Sequence, residues 1–271
     1  MFDTPGNIQP RAQGRAVLSS KERGGKSAID TLHQSGCLRV LFPRGGPALD
    51  AVLINTSGGI TGGDHIAVSA RVGARSALTI TTQAAERAYR AQPYQTGEIT
   101  AEIAVGDNAM LRWLPQELIL FEGSRLSRRL DINLAATAKM LLVEPVVFGR
   151  VAMGEILQDI QFRDRISVRR GDDPLYLDGA CLTGDAAAQL ARMAVGNAAT
   201  AMACVVYVAP DAAAHLGAVR AALPQTGGAS LLAEDLLVVR LLAQDSFVLR
   251  QSLIPLLERL SAGPLPATWR L

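Results

Sequence analysis

The chain is poor in the residues that most site chemistries require. Its 271 residues include only three cysteines, Cys37, Cys181 and Cys204. They stand far apart, an odd number without the spacing of a disulfide framework or a zinc motif, and read as reduced, buried thiols. Of the three histidines, His33, His65 and His215, no two stand four residues apart, so no helix can present them together as metal ligands. Both shortages argue against a resident transition-metal site of His/Cys type. Aromatic residues make up 4%, too few for the stacking platforms of many sugar-binding clefts. No nucleophile elbow is present, and no Ser or Cys has a convincingly placed His. Charged residues reach only 19% with a formal net charge of +2, which argues against both disorder and electrostatic capture of nucleic acid. No apolar run approaches the roughly 18 residues of a membrane span, and the N-terminus lacks the succession of a signal peptide, so a soluble cytoplasmic protein is expected.

What the chain does have is apolar content, 49%, enough for a sizeable core. Short β-rich runs separated by Gly, Pro, Asn or Asp predict strands at 37–42, 51–54, 65–72, 77–82, 99–105, 109–114, 126–134 and 140–148. Arg44-Gly45-Gly46-Pro47, Gly58-Gly59 and Gly106-Asp107-Asn108 punctuate them as turns. Such a succession of strands predicts a mainly β chain of antiparallel sheets. From about Asp185 the composition shifts toward Ala. A helix is predicted at 211–223 before Pro224, a buried strand at 236–242, and a second helix at 245–260 that Pro255 should kink or interrupt. No repeat, low-complexity linker or charge run divides the chain. One domain over 1–271 is expected, with a β-rich body at about 1–184 and a mixed α/β portion at about 185–271.

Four segments could carry chemistry. Gly24-Gly25-Lys26-Ser27 resembles the end of a phosphate-binding loop, but Ser20 stands where the first glycine belongs, and the polar run from Ser19 to Arg23 stands where a buried strand should precede it. Asn55-Thr56-Ser57-Gly58-Gly59-Ile60-Thr61-Gly62-Gly63-Asp64 concentrates four glycines, Gly58, Gly59, Gly62 and Gly63. These permit close backbone approach, and Asp64 then either caps turn amides or receives a hard cation. In the segment from Glu144 to Glu155, Glu144 interrupts an apolar run. It is either an edge charge facing solvent or a buried carboxylate, with Arg150 the pairing weighed. Asp178, followed by Gly179, is either a turn residue or another functional carboxylate.

Gly58-Gly59-Ile60-Thr61-Gly62-Gly63-Asp64 resembles the GG-hydrophobic-x-GGD signature of the UreD (also UreH) family of urease accessory proteins, and the family's other blocks follow in order. Thr81-Thr82-Gln83-Ala84-Ala85 with Tyr89-Arg90, Trp113-Leu114-Pro115-Gln116-Glu117, and Gly149-Arg150-Val151-Ala152-Met153-Gly154-Glu155 are similar to its later segments, and Trp269-Arg270 to its ending. Five blocks span nearly the whole chain. The resemblance implies a mainly β fold of β-helix-like stacked sheets with a few helices in the C-terminal third. It also implies a nickel-insertion scaffold rather than an enzyme, one that binds UreF and through it UreG, contacts apo-urease, and holds no cofactor stably while passing nickel transiently. Asp64, Glu144 and Asp178 match acidic positions associated with an internal route in the family, with Glu155 and Arg150 added to them. Carboxylates suit such a route because they hold the ion weakly, where a cage of Cys and His would trap it. A purely structural adaptor without a metal path, and a carboxylate-dependent hydrolase, are the alternatives.

Overall fold

The computed structural model describes residues 10–43, 48–261 and 263–270; the turn read at 44–47 lies outside them. The chain opens with a hairpin, β1 (Gln13–Arg23) and β2 (Lys26–Gly36), whose two-residue connection is Gly24-Gly25. Both glycines have positive φ, 61° and 76°, which a tight hairpin turn demands and side-chain-bearing residues resist. The Gly-Gly-Lys-Ser segment is therefore a strand connection with no helix behind it. The polar run before it is itself strand, because Ser19 and Ser20 are buried and their hydroxyls bond Thr31 and Ser76, each at 2.7 Å.

After β3 (Leu38–Leu41) and β4 (Leu49–Asn55) the chain alternates between two sheets. β5 (His65–Val72) joins β1 in one sheet, and β6 (Ala77–Thr82) joins β4 in the other. The pattern repeats with β8 (Gly97–Val105) against β5 and β9 (Met110–Leu114) against β6, then β11 (Arg125–Leu134) against β8 and β12 (Lys139–Phe148) against β9. All of these pairings are parallel. Two short strands, β7 (Glu86–Ala88) and β10 (Leu118–Leu120), add a parallel side ladder to β12. Each circuit of the chain thus stacks on the one before, as in a β-helix, and the predicted strands formed almost where the apolar alternation put them. Among the described residues antiparallel strand pairing, expected more widely, is confined to the two ends, with one isolated antiparallel bridge, Arg90 to Ser124, between them. The antiparallel strand pairing joins β1 to β2 and β3 to β4, then β13 (Ile160–Arg170) to β14 (Asp173–Gly184), then β15 (Ala201–Val208), β16 (Gly227–Ala233) and β17 (Leu236–Ala243) beyond β12. The cause is the connections. A turn such as Asp107-Asn108 carries the chain from one sheet into the other instead of folding a strand back on its neighbour, so like strands meet one circuit later in the same direction.

Between the sheets lies one apolar cluster, built from alternate residues of each strand. A second fills the space between the outer face of the β12–β15–β17 sheet and the helices α2 (Ala212–Ala222) and α3 (Ser246–Ser261); a short α1 (Ala186–Ala191) follows β14. β12 explains the division. Met140, Leu142 and Val146 face the inner cluster, while Leu141, Val143 and Val147 face the helices, so the strand is apolar on both sides. α3 runs uninterrupted through Pro255, which sits on its exposed side, and docks through buried Leu249, Leu253, Leu256, Leu257 and Leu260. Each of these leucines contributes about 1.5–3 kcal/mol by burial, more than enough to offset the backbone bond that proline omits.

Candidate functional site: a polar cavity between the sheets

The stack is interrupted at one level. β9 pairs with residues 139–142 of β12 and β10 with residues 146–148, so residues 143–145 have no neighbour on that edge. Pro145, with no N–H to contribute, stands in this unpaired stretch. Two circuits before β12, β6 and β7 leave residues 83–85 out of the ladder. Behind the two breaks is a cavity of about 210 Å³, walled by apolar side chains such as Ile80 and Leu118 and by the polar groups of Glu86, Trp113, Arg128 and Glu144.

Glu144 shares the inward parity of Leu142 and Val146 on β12 and is 3% exposed; it is a buried carboxylate, not an edge charge. One oxygen, Oε1, accepts a 2.6 Å hydrogen bond from the Trp113 indole N–H. The other, Oε2, lies 2.5 Å from Arg128 Nη1 as an ion pair without an aligned hydrogen bond. Its partner is thus Arg128 from the opposite sheet, and not Arg150. Arg128 extends inward from β11 at the same parity as Leu126 and Leu130, and Asp164 from the neighbouring β13 meets it. Arg128 Nε donates to Asp164 Oδ1 at 2.9 Å and Nη2 donates to Oδ2 at 2.6 Å. The guanidinium also lies 6.0 Å from the Phe162 ring centroid. Burial pushes the Glu144 carboxyl above its ordinary range; Arg128 and Trp113 oppose this, and nearby Asp164 adds to it. Burial alone would weaken Arg128's hold on its proton, but the two carboxylates outweigh that and keep it charged. At the mouth, burial likewise raises Glu86, against hydrogen bonds from Asn55 Nδ2, which also donates to Gly59 O at 3.0 Å.

The remaining candidates are placed differently. Asp64 is buried, and each of its oxygens takes a backbone amide, Ala12 N–H at 2.7 Å and Thr61 N–H at 2.8 Å. It caps the glycine-rich turn and does not line the cavity. In that turn Gly59, at φ 156°, has no room for a side chain, because a Cβ would strike the Tyr89 ring and come 2.8 Å from Arg87 O. Gly58 and Gly63 hold positive φ, Gly58 also lines the cavity mouth, and Gly62 lies against Gln95 O. Asp178 is in the middle of β14, opposite Ile166, so Asp-Gly makes no turn here. Its carboxylate pairs with Arg240, which reaches Tyr176 Oη at 3.3 Å, and Tyr176 Oη meets Cys204 Sγ at 3.2 Å. Cys204 stands directly opposite Glu144 across β12 and β15, so Asp178 connects toward the cavity's acid through a polar chain that is buried at Tyr176 and Cys204 and exposed at Arg240. Burial pushes the Cys204 thiol up to about 11.

Glu155 and Arg150 form a separate pair outside the cavity. Arg150 donates through its backbone N–H at 2.9 Å, Nε at 3.0 Å and Nη2 at 2.9 Å, and stacks 4.3 Å from the Phe121 ring centroid. These bonds hold the Glu155 carboxyl down to about 2. Sequence reasoning missed Arg128, Asp164 and Glu86, although alternation carried a signal for the first two. In Leu126-x-Arg128-x-Leu130 and Phe162-x-Asp164-x-Ile166 a charge occupies an inward position. Among the described residues no three His, Cys, Asp or Glu side chains converge as a metal cage, and no helix is long and apolar enough to cross a membrane.

The glycine-rich turn, the Thr81–Ala85 and Trp113–Glu117 breaks and Glu144 come from four separate stretches of chain and gather around one cavity. The model of the UreD urease accessory protein family matches residues 12–270. The chain is 55% identical to the urease accessory protein UreD of Ruegeria sp. (strain TM1040), covering 97% of this chain and 91% of that one. It is 51% identical to that of Ruegeria pomeroyi, over 93% and 98% respectively, and 41% identical to that of Rhizobium leguminosarum bv. viciae, over 96% of each. These relatives are named as accessory proteins and not as enzymes. The chain belongs to the UreD family of urease accessory proteins.

Proposed function

We propose that this protein is a cytoplasmic nickel-insertion scaffold, a maturation chaperone that binds UreF and through it UreG, docks on apo-urease, and passes nickel through the cavity between its sheets. The observation that carries the reading is the cavity lined by Glu86 and Glu144, inside a chain of this family. Nickel is cargo here. Carboxylate oxygens bind such an ion less firmly than imidazole or thiolate, which suits passage over storage. The polar chain from Glu144 through Cys204, Tyr176 and Arg240 to Asp178 supports a continuation of the route toward β14. Asp64 and Glu155, with their oxygens committed to backbone amides and Arg150, act on the fold around the route rather than on the ion. Exposed Met153, Ile156, Met193 and Phe247 provide apolar surface for partner proteins.

Glu144→Gln keeps the shape of the side chain and removes its charge. Cells carrying this variant should assemble the complex with UreF and urease while the urease recovered from them is nickel-poor. Fully loaded urease would refute the route through Glu144 and leave a structural adaptor.

A further inference from the structure

The Glu144–Arg128–Asp164 cluster places a permanent cation inside a cavity meant, on the reading above, for a cation. The cluster carries two carboxylates and one guanidinium, so with all three ionised its net charge is −1. The guanidinium is not shared evenly. Toward Asp164 it is a two-pronged, aligned hydrogen-bond pair at 2.9 and 2.6 Å, the fork geometry that Arg makes best. Toward Glu144 it offers only charge at close range, with Oε2 left without an aligned hydrogen bond. Glu144 itself is fixed from the other side by Trp113. Arg128 and Glu144 both line the cavity, and Asp164 stands behind them. The one contact without an aligned hydrogen bond therefore joins the two groups that line the open space.

We propose that Arg128 is a resident counter-cation that competes with the passing divalent ion for Glu144, so that the cavity admits the ion without retaining it. This rests on the cavity being the route. An arriving ion takes Oε2 while the guanidinium withdraws onto Asp164, where its two aligned bonds keep it paired. When the ion moves on, Arg128 closes on Glu144 again. No proton or covalent bond changes hands. Arg128 is a positioning residue that sets how long the cargo stays. It also opposes the burial that raises the proton affinity of Glu144.

The test is equilibrium dialysis of the full chain against Ni²⁺, with delivery to apo-urease measured in parallel. Arg128→Met removes the competing charge and should tighten nickel binding at least about tenfold, equivalent to about 1.4 kcal/mol, while slowing release to urease. Adding Glu144→Gln should abolish the gain. A merely structural arginine would give weaker binding or none. Because Arg128→Met strands two buried carboxylates, Arg128→Met/Asp164→Asn removes one of them together with the guanidinium and carries the same expectation of tighter binding. Folded variants, verified by circular dichroism, that bind nickel no tighter than the wild type overturn the proposal, as does failure of both to fold with the core intact, since the cluster is then structural. The two levels separate cleanly. If Glu144→Gln stops delivery but Arg128→Met does not tighten binding, the route stands and the counter-cation falls. If delivery ignores Glu144→Gln, the route itself is wrong, whatever Arg128 does to affinity.

Discussion

Asp164→Asn should be among the most costly single-atom-scale changes in this chain. The substitution keeps the volume of the side chain but replaces a carboxylate that takes two aligned hydrogen bonds from Arg128, at 2.9 and 2.6 Å, in a site where both side chains are at most 10% exposed. Breaking a buried ion pair by removing one partner typically costs about 3–5 kcal/mol, since the surviving charge stays buried. Here the guanidinium keeps Glu144 2.5 Å away, so the loss should fall near the lower end, about 3 kcal/mol. Urea unfolding is the assay. The midpoint should drop with the slope unchanged, because the surface exposed on unfolding is the same. The matched control is Lys21→Ala on the exposed hairpin pair with Asp30, both partners more than two-fifths exposed, which should barely move the midpoint. A loss below about 1 kcal/mol for Asp164→Asn would mean that water reaches Arg128, and the enclosed cluster described above would be refuted.

Three further outcomes are expected. Gly59→Ala forces a Cβ against the Tyr89 ring and Arg87 O in a backbone conformation that disfavours side chains; about 1–3 kcal/mol of strain follows, read as a lower thermal midpoint, whereas Gly154→Ala, with open space around its Cβ, should lose less. Glu155 is held down to about 2 by Arg150 from an ordinary value of 4.5, so its contribution is fully present above about pH 4.5 and disappears as pH falls through 2. The stability difference between wild type and Glu155→Gln should accordingly be largest near neutrality and close by pH 2, and a gap that widens in acid would contradict the pairing. Leu253→Ala, at a fully buried α3 position, should cost about 2–5 kcal/mol and loosen α3 from the sheet, detectable as faster amide exchange there.

Much of the fold was legible because alternation is a local property. Residues 65–72 and 77–82 read as strands and are strands. What alternation does not encode is which strand is the neighbour, since His65 to Val72 presents the same two faces whether its partner runs parallel or antiparallel. The pairing follows from turns that switch sheets, and those turns look like ordinary hairpin signals, as Gly106-Asp107-Asn108 did. The Asp-Gly step at 178–179 misled for the opposite reason, since a strong turn dipeptide lies within an antiparallel ladder whose register is fixed by Tyr176 and Leu182 on either side. For the site, Glu144 stood out as an anomaly in an apolar run and is buried, but its partner was sought nearby at Arg150, whereas the sheet stacking supplies Arg128 from across the interior. Asp64 shows the same limit. Its place beside four glycines was plain, yet the two amides that occupy its oxygens come partly from Ala12, 52 residues away.

The central claim, that the cavity between the sheets is the route taken by the metal, is tested most directly by filling it. Ala85 lines the cavity at the break after β6 and is half-buried, so Ala85→Trp places bulk in the opening without cutting into the packed core. Nickel per urease active site should be measured on enzyme matured with this variant, alongside co-purification of UreF and urease. An intact complex with nickel-poor urease is the expected result. Normally loaded urease from an intact complex would contradict the claim.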